Sequence, residues 1–413
     1  MDSEILCDSP KIELYEGDCL EILRSLESDL VDSVITDPPY ELWSGKRGGK
    51  GFMGKAWDGT GIAFSVDLWR EVLRVLKPGG HLLSFGGTRT QHRMVCAIED
   101  AGFEIRDCIQ WIYGSGFPKS RDVSKAIDSE AGVEREVVGL GKDISHIDRG
   151  DSNIEEQVTY STDSSFSAKG LNVITAPATP EAKQWDGWGT ALKPANEPIC
   201  VARKPLSEKT VAANVLKWGT GGINIDGNRV GTRKNNPQIM GDKKTSRCYG
   251  KIDVGGGKVY DKGRWPSNVI LSEEAGAMLD EQSGVLTSGS GIKNPRNGAK
   301  STFRVSVQDE GYYSTGDTGG ASRFFYCAKA SKSERGEENT HPTVKPLKLM
   351  EYLVRLVTPP DGLILDPFCG SGTTGVAAYK LNRNCTMIEL EPKYCDIIRK
   401  RMDVIVRQRR MFA

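Results

Sequence analysis

No CxxC pair occurs in the 413 residues, and the ten cysteines are scattered singly. That spacing supports neither a disulfide framework nor a zinc ribbon. Histidine is scarce: His81, His92, His146 and His341 lie far apart and form no HExxH or HxE array, so no metal centre is expected. No segment approaches the roughly 18 consecutive apolar residues of a membrane span. The opening stretch MDSEILCDSPKIELYEGD is acidic and lacks the basic-then-apolar pattern of a signal peptide, so a cytoplasmic protein is expected. Net charge is missing too, with 55 Lys and Arg against 55 Asp and Glu, which argues against indiscriminate electrostatic binding. The balance hides segregation. Residues 229–264 carry ten Lys or Arg against three acids, whereas 128–164 lean acidic and become Ser/Thr-rich.

What is present is an α/β alternation. KIELYEGDCLEILRSL reads as strand, turn and helix, with Leu20, Leu23 and Leu26 at helical spacing. DSVITDPPY reads as a buried strand ending at two prolines. SVDLWREVLRVLKPGG reads as a helix stopped by Pro78-Gly79-Gly80, with HLLSFGG as the next strand. The alternation holds to about residue 117 and predicts a doubly wound, mostly parallel sheet. It resumes at RFFYCAKA and runs through KPLKLMEYLVRLV, LILDPFCGSGTTGVAAYKLN and RNCTMIELEPKYCDIIRKRM. The expected organisation is one sheet built from residues 1–118 and 321–413. A return strand at 185–205 adds to it, a polar insert at 119–184 sits within a β-hairpin, and the Gly-rich region 206–320 forms an irregular inserted lobe.

Two constellations carry chemistry. In LILDPFCGSGTTG a hydrophobic strand meets a loop with Gly370 and Gly372, and a helix opens near Thr373. Such glycines permit a tight turn and close approach of a ligand to backbone N–H groups. Asp366 closes that strand, and Glu389 closes the next one, placed about 20 residues on to accept two ribose hydroxyls. A structural turn alone would not need Glu389, so a nucleoside cofactor is favoured. The loop has neither the full GxGxxG nor GK[ST], which fits a dinucleotide or a P-loop triphosphate poorly. The second constellation is Asp37-Pro38-Pro39-Tyr40. Proline has no N–H and fixes φ, so this corner offers the Asp37 carboxylate and the Pro38 carbonyl as acceptors without competing donors. Two acceptors suit an NH₂ group with two hydrogens to give. Tyr40 adds a flat ring able to stack on a base. A buried turn with a capping Asp is the plain competing reading.

TDPPY near one end and DPFCGSGTT near the other resemble the S-adenosylmethionine-dependent DNA amino-methyltransferases. The order, catalytic motif first and cofactor loop last, is similar to their β class. YEGDCLEIL, HPTVKPLKLMEYLVRLV, WGTALKPANEPICVARKP and ASRFFYCAKASKSER extend the likeness to segments common in phage and bacterial members. The resemblance implies a Rossmann-like methyltransferase fold in permuted order, with 1–118 the catalytic half and 321–413 the cofactor half. It also implies S-adenosylmethionine as cofactor and double-stranded DNA as partner, with no metal and no membrane. Asp366, Phe368, Gly370, Gly372 and Thr373 would then line the methionine part of the cofactor. Glu389 would bind the ribose and Asp18 the adenine amine, while Thr343 and Lys345 would lie at the methionine end. Asp37, Pro38, Pro39 and Tyr40 would hold a flipped target base.

The expected reaction is methyl transfer to adenine N6, with cytosine N4 and a non-catalytic DNA-binding relative as alternatives. No Pro-Cys pair exists, which disfavours the cysteine chemistry of carbon-5 cytosine methylation. Target recognition is expected in 206–320, with Arg233, Lys234, Lys243, Lys244 and Arg247 on phosphates. Lys46 and Arg47, in the loop after Tyr40, would clamp the strand. A monomer or homodimer is expected, in a bacterial or phage-infected cell, with a cognate restriction nuclease as a candidate partner.

Overall fold

The computed structural model describes residues 3–42, 59–114, 116, 120–140, 173–231, 263–287, 291–293, 312–314, 318–328 and 344–412. Lys46, Arg47, Arg233, Lys234, Lys243, Lys244, Arg247 and Thr343 lie outside the described residues. The chain divides into two units, Met1–Gly114 with Asn196–Ala413, and Ser115–Ala195.

Ten strands of the first unit form one sheet: β1 (Glu4–Asp8), β2 (Lys11–Glu16), β3 (Val31–Thr36), β4 (Leu76–Phe85), β5 (Glu104–Ile112), β6 (Asn196–Arg203), β7 (Val269–Ser272), β8 (Tyr326–Ala328), β9 (Leu363–Asp366) and β10 (Asn384–Glu389). Their spatial order is β1-β2-β10-β9-β3-β4-β6-β5-β7-β8. β1 and β6 run against the others, and the remaining pairings are parallel.

Successive strand side chains point to opposite faces, and the central strands are apolar on both. Ile35, Leu83, Phe85, Ile199, Ile364 and Met387 join a core with the helices Leu347–Val357, Thr373–Lys380 and Pro392–Phe412. Val34, Leu82, Cys200, Ala202, Leu365 and Ile388 join a second core with the helices Cys19–Ser25, Val66–Val75 and Gln91–Asp100. The sheet is therefore doubly wound, a Rossmann-like arrangement. From β9 the chain crosses to β10 on one side, and from β3 it crosses to β4 on the other. The adjacent ends of β9 and β3 thus form a topological switch point, where open α/β sheets hold ligands.

Local chemistry explains the elements that frame this point. Ser65 caps the helix Val66–Val75 by accepting from the Leu68 N–H at 3.3 Å. Leu68, Trp69, Val72 and Val75 supply the buried face, and the Trp69 indole donates to the Ala63 carbonyl at 2.9 Å. The helix ends at Val75, earlier than Pro78-Gly79-Gly80, and those residues lie inside β4. They take up a bulge: β3 pairs Val31 with Leu76 but Ser33 with His81. Gly79 adopts φ 79°, and a Cβ there would sit 2.4 Å from the Asn214 amide nitrogen. His81, buried and near Arg203 and Arg106, is held down to about 4, which makes it a neutral strand residue.

The region 206–320 is not wholly a separate lobe. Val269–Ser272 enters the main sheet between β5 and β8, and the helix Val211–Trp218 packs on β4 through Asn214. That buried amide donates to the Pro78 and Thr220 carbonyls at 2.8 and 2.9 Å and accepts from the Ser207 N–H at 3.2 Å. A four-residue strand between Gly-rich segments leaves too short a period to read.

The second unit is bounded at 115–195, where the sequence suggests 119–184. It holds the helix Val123–Glu130, an antiparallel pair Val137–Leu140 with Val173–Thr175, and the helix Pro180–Gln184. Buried Asp128 ties them, accepting from the Ala178 N–H at 3.0 Å and the Thr179 hydroxyl at 2.7 Å, with Arg135 at 3.3 Å. Among the described residues no helix is long and apolar enough to cross a membrane.

Replacing Asn214 by Ala takes the amide partner from the Thr220 carbonyl and the Ser207 N–H, while the Pro78 carbonyl keeps the Thr220 hydroxyl at 2.6 Å, so urea unfolding should show a loss of about 1–3 kcal/mol at unchanged m value.

Candidate active site

Asp366 ends β9 and is buried. Its Oδ1 accepts from the Thr36 hydroxyl at 2.7 Å and the Phe368 N–H at 3.1 Å, and its Oδ2 accepts from the Thr374 hydroxyl at 2.5 Å. Burial nevertheless raises its pKa to about 6, against the pull of these donors. Both oxygens are engaged by the protein. Asp366 therefore shapes the Gly loop and ties it to the end of β3, and its Oδ2, with the Thr374 hydroxyl as donor, keeps acceptor capacity for the cofactor contact that the sequence suggests.

The loop between β9 and its helix turns on two positive-φ glycines, Gly370 at 56° and Gly372 at 77°. Side chains rarely adopt such φ values, and a Cβ on Gly372 would also approach Ile398 at 3.0 Å. Arg401, from the C-terminal helix, pins the loop by donating to the Ser371 carbonyl at 2.5 Å and the Thr373 hydroxyl at 3.3 Å. Glu389, at the end of β10, accepts from the Gly370 N–H at 2.8 Å and the Glu391 N–H at 3.0 Å. Burial pushes its pKa up to about 7, although both N–H groups oppose the shift. Each carboxylate oxygen retains a further lone pair. Next door, Gly17 donates its N–H to the Glu389 carbonyl at 2.9 Å. Exposed Asp18 follows and caps the helix Cys19–Ser25 through Oδ1, at 2.9 Å from the Leu20 nitrogen. The structure thus gathers Asp18, Phe368, Gly370, Gly372, Thr373 and Glu389 along the ends of β2, β10 and β9. Backbone donors, a small-residue loop and two carboxylates there suit a nucleoside group.

Asp37 follows directly on β3. Its Oδ2 accepts from the Lys345 ammonium, and its Oδ1 is buried with no hydrogen-bond partner. Pro38 is buried beside it. Tyr40 is held at both ends: the Thr90 hydroxyl donates to its carbonyl at 2.5 Å, and its own hydroxyl donates to Glu197 Oε2 at 2.8 Å. A Cβ on Gly87 would come within 3.2 Å of the Tyr40 ring, so the glycine after β4 makes room for it. The next residue, Glu41, carries φ 51°, an uncommon value for a non-glycine residue and consistent with a corner set by its surroundings.

Lys345, which the resemblance puts beside the methionine end of the cofactor, has its protein partners at the Asp-Pro-Pro-Tyr corner. Its ammonium joins Asp37 and lies 3.4 Å from Glu197, so it belongs to the Asp-Pro-Pro-Tyr corner. It also stands 5.3 Å from the Tyr40 ring centre and 4.9 Å from that of Phe85. Burial lowers its proton affinity, but the two carboxylates outweigh that and raise it. Burial raises Asp37, with Lys345 opposing and Glu197 adding to the rise. Glu197, near the start of β6, is absent from the residues picked by motif; a lone glutamate in an apolar strand carries no spacing signal.

Residues 31–400 match the DNA methylase family of N6 and N4 enzymes. The type II methyltransferase M.HindIII of Haemophilus influenzae is 22% identical over 404 residues, covering 90% of this chain and 88% of its own. M2.DpnII of Streptococcus pneumoniae is 48% identical over 63 residues, 15% of this chain and 24% of its own. Among solved structures, an M1.HpyAVI complex with S-adenosylmethionine has TM-score 0.38 and 17% identity, covering 94% of this chain and 98% of its own. The cytosine-N4-specific PvuII DNA methyltransferase has TM-score 0.39 and 14% identity, covering 95% and 90%. With the family match spanning most of the chain, the protein belongs to the N6/N4 DNA methylases, enzymes that methylate exocyclic amines of DNA with S-adenosylmethionine.

Proposed function

We propose that this enzyme is a site-specific methyltransferase acting on adenine N6 of double-stranded DNA in the bacterial or phage-infected cytoplasm. The carrying observation is the buried, unpartnered Asp37 Oδ1 beside the donor-free Pro38-Pro39 step. An aspartate at the first motif position accompanies adenine more often than cytosine in the resembling family. The same acceptors fit the amine of cytosine, which is the second reading.

When bound, S-adenosylmethionine supplies a methyl group already activated on its sulfonium. Glu389 would hold its ribose hydroxyls and Asp18 its adenine amine, with Phe368, Gly370, Gly372 and Thr373 around the remainder. The chain's own task is to improve a poor nucleophile. Lys345 occupies Asp37 Oδ2, which leaves Oδ1 as the acceptor for one amine hydrogen. The Pro38 carbonyl takes the other. Together they draw the hydrogens out of the base plane and free the nitrogen lone pair, a matter of orientation and fixed charge. An amine within a duplex is out of reach, so the base is flipped, and Tyr40 replaces its lost stacking.

Asp37→Ala should lower methyl transfer by about 100-fold or more, on the scale of losing a fixed acceptor, while calorimetry finds S-adenosylmethionine affinity nearly unchanged. Glu389→Ala should do the reverse and weaken cofactor binding by about tenfold or more. Gly372 is a poorer probe than its position suggests, because a side chain there meets Ile398 before any ligand. In the wild type, cofactor affinity should fall as pH drops through about 7, where Glu389 takes up a proton and loses its acceptor pair. Expression in methylation-free bacteria, with modified-base sequencing of their DNA, names the base: N6-methyladenine at one motif supports the proposal, and N4-methylcytosine replaces it with the second reading.

A further inference from the structure

We propose that Glu197 is a positioning residue for methyl transfer, which sets the charge on Asp37 by competing with it for Lys345 and fixes the Tyr40 ring through its hydroxyl. This rests on the proposed function of the same corner.

The geometry carries the inference. One ammonium stands between two carboxylates, joined to Asp37 and 3.4 Å from Glu197 Oε2. The same Oε2 accepts the Tyr40 hydroxyl at 2.8 Å. All four groups are largely withdrawn from water: Lys345 is 9% exposed and the Asp37 and Glu197 side chains 20% and 21%. With Lys345 alone, Asp37 would sit in a neutral pair, and its free oxygen would be a weakened acceptor. A second carboxylate divides the lysine's attention and leaves the trio with one net negative charge. In a poorly hydrated site that charge is felt strongly, and it strengthens the hydrogen bond Asp37 Oδ1 can accept from an amine turning cationic.

Glu197 is well placed to be constant in this role. It lies on β6, which pairs with β4 on one edge and β5 on the other, with Trp111 opposite it in register. The titratable or charged groups around Asp37 are Lys345, Glu197, Tyr40 and, behind it, Asp366; Tyr113 at the end of β5 faces Glu197 and Lys345. Removing the Glu197 charge makes Asp37 easier to ionise and less basic. The acid limb of the rate profile then moves to lower pH while the plateau falls.

The test is the single-turnover rate of radiolabelled methyl transfer from S-adenosylmethionine to genomic DNA of methylation-free bacteria, measured against pH. Glu197→Gln keeps the shape and still accepts the Tyr40 hydroxyl but has no charge. The expected result is a plateau reduced about tenfold or more, an acid limb displaced to lower pH, and cofactor affinity by calorimetry unchanged. Glu197→Asp, which keeps the charge on a shorter side chain, should retain the wild-type acid limb. A Glu197→Gln profile that superimposes on the wild type overturns the inference. So does an equal loss in both variants without displacement of the limb, which is the mark of packing alone. Should Glu197→Gln fail to fold, Glu197→Asp against wild type decides, since a displaced limb in a variant that keeps the charge also overturns the inference. Wild-type protein that transfers no methyl group overturns the proposed function itself, a distinct result.

Discussion

Everything at the site hangs on the join between two strands that are more than 300 residues apart in the chain. The Thr36 hydroxyl at the end of β3 gives its hydrogen to Asp366 at the end of β9, 2.7 Å away. A buried carboxylate without such donors would be costly. With Thr374 and the Phe368 N–H completing the set, it becomes a rivet. The Gly loop cannot shift without breaking it, and neither can the residue preceding Asp37. The Gly loop and the Asp-Pro-Pro-Tyr corner are therefore fixed relative to one another before any ligand arrives, which is the preorganisation that the proposed in-line transfer demands.

From that join the polar groups separate by task. Asp366 takes three scaffold donors across its two oxygens. Asp37 spends one on Lys345 and keeps one in reserve. Glu389 uses one lone pair of each oxygen on backbone N–H groups, with further acceptor capacity left. Three carboxylates at the ends of three neighbouring strands thus behave differently because their local donors differ, not because their positions do. Burial raises all three, to about 6 for Asp366 and about 7 for Glu389.

Much of this was legible in the chain. Asp37, Tyr40, Gly370, Gly372 and Glu389 sit in local strand–loop–helix units, whose patterning and spacing survive without knowledge of the fold. The doubly wound sheet followed from the same alternation. Three things were not legible, each for a physical reason. The role of Asp366 depends on Thr36, a contact across the sheet that no spacing encodes. Lys345 and Glu197 meet Asp37 from far along the chain, and neither stands in a pattern that names its partner. Pro78-Gly79-Gly80 reads as a helix stop under local rules. Tertiary pairing makes it a strand bulge instead, because Asn214 and Lys204, the residue after β6, supply the hydrogen bonds that the bulge leaves open.

The hairpin of β5 and β6 has one more consequence. Its last pair, Ile112 opposite Asn196, brings together the two points between which the second unit departs and returns. The gap is one strand spacing wide, so the chain could close it with a tight turn. The entropy of closing a longer excursion grows only slowly, about 0.6 kcal/mol for each doubling in length. The strand that brings Glu197 to Lys345 takes its register from β4 and β5, not from what lies beyond the hairpin. The length of chain between Ile112 and Asn196 can therefore change at little cost while Glu197 stays where β4 and β5 hold its strand.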